Sequence, residues 1–350
     1  ITCRDWSSDV CSSDLVNFNN FGNWSTIRNF LTYYPNDNRP LVVNDLVRAI
    51  TLDDSTLYIG GRFSKIAPYT GSGIIVNAKN GAIDWTYPVI QGHLSDSGVI
   101  IGSFTNRPGQ VNAVVSDGNG GWYVGGCFSS VGGFERKNLV HILPDNSVDP
   151  MWNPNPTFNP GSIFLPRGGY KTGIISHLAV HQNKLYVGGE FDYIAGEPRQ
   201  NMASFNISDG SITNWSIENS FFIKNWYFSD TTLYICTGGN FQGVYRNGLI
   251  SLSLITGLAR DWNPVVYPAD VRTLAVFNNI LYIGGMFREV NGYPQPNLAA
   301  IDIETGELIS WYPEVDGFDR CSIFIHDNIL YITRSEERRV GKECRSRWSP

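Results

Sequence analysis

Apolar and polar residues alternate over short stretches along most of this chain, and the stretches end at paired glycines. Leu281 to Phe287, reading LYIGGMF, is the clearest case. Related stretches run from Leu57 to Phe63, Trp122 to Phe128, Leu185 to Phe191 and Leu233 to Phe241, with a shortened version at Leu330-Tyr331-Ile332. A period of two residues predicts strands with one face buried. Around Leu281 the pattern predicts a first strand at Val271 to Phe277, a turn at Asn278-Asn279 and a second strand from Ile280. A third strand follows at Leu298 to Ile303, a turn at Thr305-Gly306, and a fourth strand at Leu308 to Tyr312. The Gly pair is expected where a side chain would clash or where φ must turn positive.

The strand tyrosines Tyr58, Tyr123, Tyr186, Tyr234, Tyr282 and Tyr331 are 65, 63, 48, 48 and 49 residues apart. Short strands at such a period predict propeller blades rather than a helical solenoid. The expected fold is all-β, a β-propeller of four-stranded blades, about five complete and one truncated. The units run 46–88, 111–154, 174–217, 222–264 and 271–313, with a partial sixth at 320–333. All of them form one domain over 16–333. Trp85, Trp152, Trp215, Trp262 and Trp311 form a fourth-strand row, read as packing between blades rather than a sugar-stacking surface. Asn138, Asn201, Asn247 and Asn297 introduce the third strand in four units.

These residues resemble the delta-60 repeat family, β-propellers of large surface or secreted proteins. The matching pattern is Leu-Tyr-Val-Gly-Gly-x-Phe, then a small residue and Gly, an Arg before Asn-Leu-Ala, Thr-Gly-x-Leu and Trp-x-Pro. Leu185 to Phe191 with Ala195-Gly196, Arg199 and Asn201 carries it, as does Leu281 to Phe287 with Asn291-Gly292 and Asn297-Leu298-Ala299. The fourth unit departs from it, with Cys236-Thr237 inserted before Gly238-Gly239. The resemblance implies a fold and a surface or secreted setting. It supplies no catalytic residue.

Both ends read differently. Ile1 to Leu15 and Arg334 to Pro350 resemble translated sequencing adapters, so the expectation is a fragment whose native part is 16–333. The flanks contribute −2 and +3 to the formal net charge of −6, which leaves −7 for the rest. An acidic body argues against a nucleic-acid partner. No apolar run reaches the ~18 residues of a membrane span. Abundant Asn, Gly and aromatic residues with little Lys and Glu fit an extracellular or cell-surface protein.

Candidate chemistry lies in the two longest connections, Gln91 to Gln110 and Asn155 to Thr172, which join a fourth strand to the next first strand. In a propeller both emerge on one face. His93, Asp96, Phe104, Arg107, Phe164, Arg167 and Tyr170 in them are the predicted ligand-binding residues, and their aromatic and Arg content suits a protein or carbohydrate partner. Asp209, Asp302 and Glu304 flank Gly turns and are read as turn residues, because their spacing matches no calcium loop. Asp117-Gly118-Asn119-Gly120 is read as a hairpin tip, and His181 and His326 as surface turn residues. Cys127, Cys236 and Cys321 make no disulfide framework or zinc spacing. No metal, cofactor or catalytic residue is assigned. The expected function is a non-catalytic binding or scaffolding module. The alternative is a propeller enzyme, glycan-active or quinoprotein-like. Ala300 to Gly306 with Trp311 resembles a quinoprotein docking pattern, but the Trp falls one residue late.

Overall fold

The computed structural model describes residues 32–33, 40–41, 47–54, 56–61, 72–79, 81–92, 109–157, 173–217, 223–237, 239–241, 244–311, 313, 321–326 and 329–334. The two adapter-like flanks, apart from Arg334, lie outside them. The described residues are all-β, with no α-helix and no helix able to cross a membrane among them. Thr32–Tyr33 pairs with Pro40–Leu41; the rest is one repeated plan.

Each repeat is an antiparallel meander. In the second unit Gln110–Ser116 pairs with Trp122–Cys127, which pairs with Leu139–Ile142. In the third unit the strands are Ile174–His181, Lys184–Glu190 and Met202–Asn206. In the fourth they are Asn225–Phe228, Thr232–Cys236 and Leu249–Ser253. The fifth has Val271–Phe277, Ile280–Gly285 and Leu298–Asp302, and the sixth a hairpin of Cys321–His326 with Ile329–Arg334. The Asn278-Asn279 turn has φ of 48° and 61°, the left-handed pair that a tight hairpin requires.

The fourth strand differs from expectation. Among the described residues only the first unit keeps one, Ile83–Asp84, and in the second to fifth units it shrinks to a single bridge such as Phe205–Ile212 or Ile301–Leu308. A side chain, buried in the second, fourth and fifth units and half-buried in the third, takes the carbonyls instead. Arg136 donates to the Asp149 carbonyl at 2.9 Å, Arg199 to that of Thr213 at 3.0 Å, and Arg246 to that of Arg260 at 3.1 Å. Gln295 does the same for Trp311 at 3.1 Å. A guanidinium fork reaches carbonyls that no longer face a strand, so the segment bends away from the ladder and stays hydrogen-bonded.

Most of the apolar clusters lie between units; one, around Val47, Leu57, Ile74 and Val76, lies within the first. One cluster joins Tyr58, Ile75 and Tyr87 of the first unit to Val111, Trp122 and Val140 of the second. Others join Trp152 to Ile175 and Phe205, Trp215 to Ile223 and Trp226, and Trp262 to Val271 and Leu281. First strands of successive units lie side by side. Thr51 Oγ1 donates to the Val114 carbonyl at 2.9 Å, and the Ile323 amide donates to Thr273 Oγ1 at 3.2 Å. Most of the buried sheet faces are covered by a neighbouring unit, so the repeats stabilise one another as a stack.

The aromatic row is packing, with one change of residue. The strand tyrosines meet Trp152, Trp215, Trp262 and Trp311 edge-on, with centroids 5.1–5.3 Å apart. In the first unit the partner is Tyr87, at 5.3 Å from Tyr58 and bonded to it hydroxyl to hydroxyl at 2.8 Å. Trp85, expected there, is 52% exposed.

Candidate functional site

The seven predicted ligand-binding residues, His93, Asp96, Phe104, Arg107, Phe164, Arg167 and Tyr170, all lie outside the described residues. What is described is where their connections begin. Ile90–Gln91 pairs with Ser130–Val131, the opening strand of the loop between the second unit's second and third strands. Thr157 bridges Tyr193, at the matching place in the third unit. Both long connections therefore leave the sheets beside the same kind of hairpin, at the edge where the first strands begin.

That edge carries a repeated device. In four first strands the register slips by one residue, at Arg48, Asn112, Ser176 and Arg272. Such a bulge re-aims the extra side chain. The residue before each bulge, Val47, Val111, Ile175 or Val271, is apolar and buried, whereas every bulged residue is polar. The Gly pair makes this possible. A Cβ on Gly126, Gly189 or Gly285 would strike the carbonyl oxygen of Gln110, Ile174 or Asp270 respectively. A Cβ on the preceding glycine would strike the next unit, at Ile175 for Gly125 or Ile223 for Gly188. None of these glycines has positive φ, so of the two expected roles only the steric one applies.

Several polar groups here tie neighbours together. Asn112 Nδ2 donates to the Ile175 carbonyl at 2.9 Å. Lys224 Nζ lies 2.8 Å from Asp270 Oδ1, and Arg272 reaches Asp270 Oδ2 at 2.7 Å. Burial pushes the Asp270 carboxyl up, but its bonds to Arg272 and Lys224 outweigh that and hold it below the usual carboxylate range. A depressed carboxyl contributes stability above its unfolded-state value and loses it as pH falls through the folded-state value. These side chains are about one third exposed. Asp270→Asn is therefore expected to cost no more than about 1 kcal/mol in urea melts at neutral pH, and nothing in acid.

A second cluster, which sequence reasoning passed over, sits at the opposite end of the second unit. His141 on the third strand is held between two carboxylates. Its Nδ1 lies 3.0 Å from Asp149 Oδ2 and its Nε2 lies 3.1 Å from Asp117 Oδ2. Tyr123 stacks on the ring at 4.4 Å, and Trp152 meets it edge-on at 6.1 Å. Asp117 Oδ1 also accepts the amides of Asn119 at 2.7 Å and Gly121 at 2.8 Å, which is the expected hairpin tip. Burial, then the negative charges of Asp117 and Asp149, push the Tyr123 hydroxyl up to about 12. Burial raises the Asp149 carboxyl, but the His141 bond and the Met151 amide leave it below its ordinary value. Elsewhere the place of His141 is taken by Ile75, Ser204, Ser251 or Ala300, each facing its strand tyrosine.

The remaining polar residues are structural. Asp302 Oδ1 accepts the amides of Glu304 at 3.0 Å and Thr305 at 2.8 Å, and Asp209 Oδ1 accepts that of Ser211 at 2.9 Å. His177 packs edge-on against Trp226 at 5.4 Å, and desolvation takes its ring down to about 4. His181 is not a surface residue as expected: it is half-buried, its ring 5.4 Å from Phe228 of the next unit. Cys127 and Cys236 are free thiols, both pushed up by burial. Among the described residues no three His, Cys, Asp or Glu side chains are grouped to hold a metal ion.

This geometry defines a class, an all-β protein of repeated antiparallel sheets with cores between the repeats. No family model and no curated protein sequence matches the chain. Solved structures similar to it include the computationally designed Ika8 protein, at 13% identity and a TM-score of 0.46, covering 86% of this chain and 73% of that one. The extracellular domain of a hybrid two-component system from B. thetaiotaomicron is 14% identical with a TM-score of 0.43, and 86% of this chain spans 32% of it. BamB from Moraxella catarrhalis is 13% identical with a TM-score of 0.38, covering 83% of both chains. At these values the class rests on the strand pairing and the buried seams.

Proposed function

We propose that the chain is a β-propeller of the delta-60 repeat kind, serving as a non-catalytic binding or scaffolding module outside the cell. The observation that carries this reading is that both long connections start beside equivalent hairpins, at the edge where polar bulges repeat. A rigid repeated scaffold with variable loops on one edge is how a binding surface is built without a catalytic group. The side-by-side first strands and the inter-unit cores support radial blades. The partner is a protein or a carbohydrate, held by the aromatic and Arg residues of the two connections.

The test replaces both connections with the short one between the fourth and fifth units, Val265 to Asp270. Circular dichroism and melting temperature should stay near those of the parent, because loop length costs little once the ends are anchored. Binding of the parent to a printed glycan array and to extracellular-matrix proteins should disappear in the variant. Retained binding would remove the loop face as the site. A parent that turns over sugars or alcohols would favour the enzyme alternative.

A further inference from the structure

From the first-strand starts of the fourth and fifth units we infer that Lys224 and Arg272, which share the carboxylate of Asp270, form a cradle for the acid group of a uronic-acid sugar. The inference rests on the reading of this edge as a glycan-binding face. Lys224 Nζ lies 2.8 Å from Asp270 Oδ1, and Arg272 Nη2 lies 2.7 Å from Asp270 Oδ2. Two cations on one carboxylate leave a positive charge over, in a chain whose formal net charge is −6. The two cationic side chains are 39% and 34% exposed, so a ligand can reach them. The repeat sets their place: Lys224 follows the buried Ile223 as Arg272 follows Val271 and Arg48 follows Val47. The same position holds Asn112 in the second unit and Ser176 in the third. The charge therefore gathers away from the two units that the long connections enter.

The surroundings select a sugar rather than a small inorganic anion. The connection into the fifth unit is short, and on it Tyr267 stands three residues before Asp270 and is 60% exposed. An aromatic ring open to solvent near a charge pair stacks on the apolar face of a pyranose while the cations hold its carboxylate. The ring's backbone is fixed: the Arg288 amide donates to the Tyr267 carbonyl at 2.7 Å, and the Met286 amide to that of Asp270 at 2.8 Å. Glu289 pairs across from Tyr267, so the acid group of the sugar faces Lys224 and Arg272 and its hydroxyls face Glu289. A guanidinium and an ammonium together offer more N–H donors than one carboxylate accepts. Both cations can therefore keep Asp270 and still donate to a ligand.

The experiment measures, by titration calorimetry on the full chain, the affinity for galacturonate and glucuronate oligomers and for their methyl esters, which lack only the acid charge. The parent should bind one of the acids about tenfold more tightly than its ester. Lys224→Gln and Arg272→Gln should each weaken the acid about tenfold and leave the ester unchanged. Asp270→Asn should act in the opposite direction and strengthen the acid about fivefold, because it removes the carboxylate that competes for the two cations. Circular dichroism melts of all three variants should stay near the parent's, since partly exposed ion pairs add little stability. A triad that only ties the two units together loses binding in all three variants, and weaker binding by Asp270→Asn overturns the cradle. Equal binding of acid and ester, or binding of neither, overturns it as well. The edge itself is judged separately. A neutral glycan or a protein that binds the parent and is lost when both long connections are replaced upholds the binding face while removing the acid cradle.

Discussion

Gly189→Ala is expected to destabilise the protein by about 3 kcal/mol or more, enough to unfold a marginal domain. The added methyl would lie well inside the van der Waals radius of the Ile174 carbonyl oxygen, and Ile175 Cα stands 3.0 Å away. Both neighbours are backbone in a paired strand, so no side chain can swing aside. Relief requires undoing the register slip between Ile175 and His177 and with it the pairing of Ile174 to Glu190. Gly188→Ala is the graded comparison. Its methyl would meet Ile223 Cδ1 at 2.7 Å, the end of a flexible side chain, and the expected cost is about 1–2 kcal/mol. Gly196→Ala meets nothing within 4 Å but sits at φ +79°, so it costs about 1 kcal/mol of backbone strain. Guanidinium midpoints should follow that order. A Gly189→Ala protein as stable as Gly196→Ala would mean that the close backbone approach does not shape these sheets.

This ordering also explains how much of the molecule its sequence discloses. The strand periodicity, the Gly pairs and the Asn-Asn turn are local and repeated, and local steric demands leave repeated residues. The Gly pair signalled a special backbone position, yet its cause lies in a carbonyl fifteen residues upstream for Gly189 and Gly285, which no pattern displays. The fourth strand was over-read. Its apolar spacing is genuine, but the Arg136, Arg199 and Arg246 side chains withdraw its carbonyls from the ladder. Trp85 was mistaken for the packing aromatic because tryptophan fills that place elsewhere. Counting from the strand tyrosine would have corrected it, since Tyr87 lies 29 residues after Tyr58 as Trp152 lies 29 after Tyr123. The His141 cluster was not legible at all. Its three residues come from a hairpin tip, a third strand and a fourth segment, and they occur together in one unit, so repetition gives no signal. The predicted loop residues stand outside the comparison.

Trp152→Ala should cost about 3–5 kcal/mol, while Trp85→Ala should cost less than about 0.5 kcal/mol. Trp152 is 8% exposed and stands at a seam. Its ring meets Tyr123 of its own unit edge-on at 5.3 Å and Phe205 of the next unit at 5.5 Å. Its indole N–H donates to the Gly210 carbonyl at 3.0 Å, again across the seam. Gly210 has φ +70°, and a Cβ there would come within 2.7 Å of Trp152 Cδ1, so the turn is shaped to receive the ring. Truncation removes a large buried surface and leaves a cavity between two sheets that cannot close without moving both. The loss is therefore a loss of coupling as well as of stability. In a stack held by neighbour contacts, weakening one interface lets the two sides unfold separately. Chemical denaturation of Trp152→Ala should show a lower midpoint and a shallower or two-step transition, against an unchanged single step for Trp85→Ala. Gly210→Ala should mimic part of the effect, and the double variant should fall short of the sum, because both changes act on one contact. Equal losses at Trp85 and Trp152, or strict additivity with Gly210, would show that these rings do not join the units.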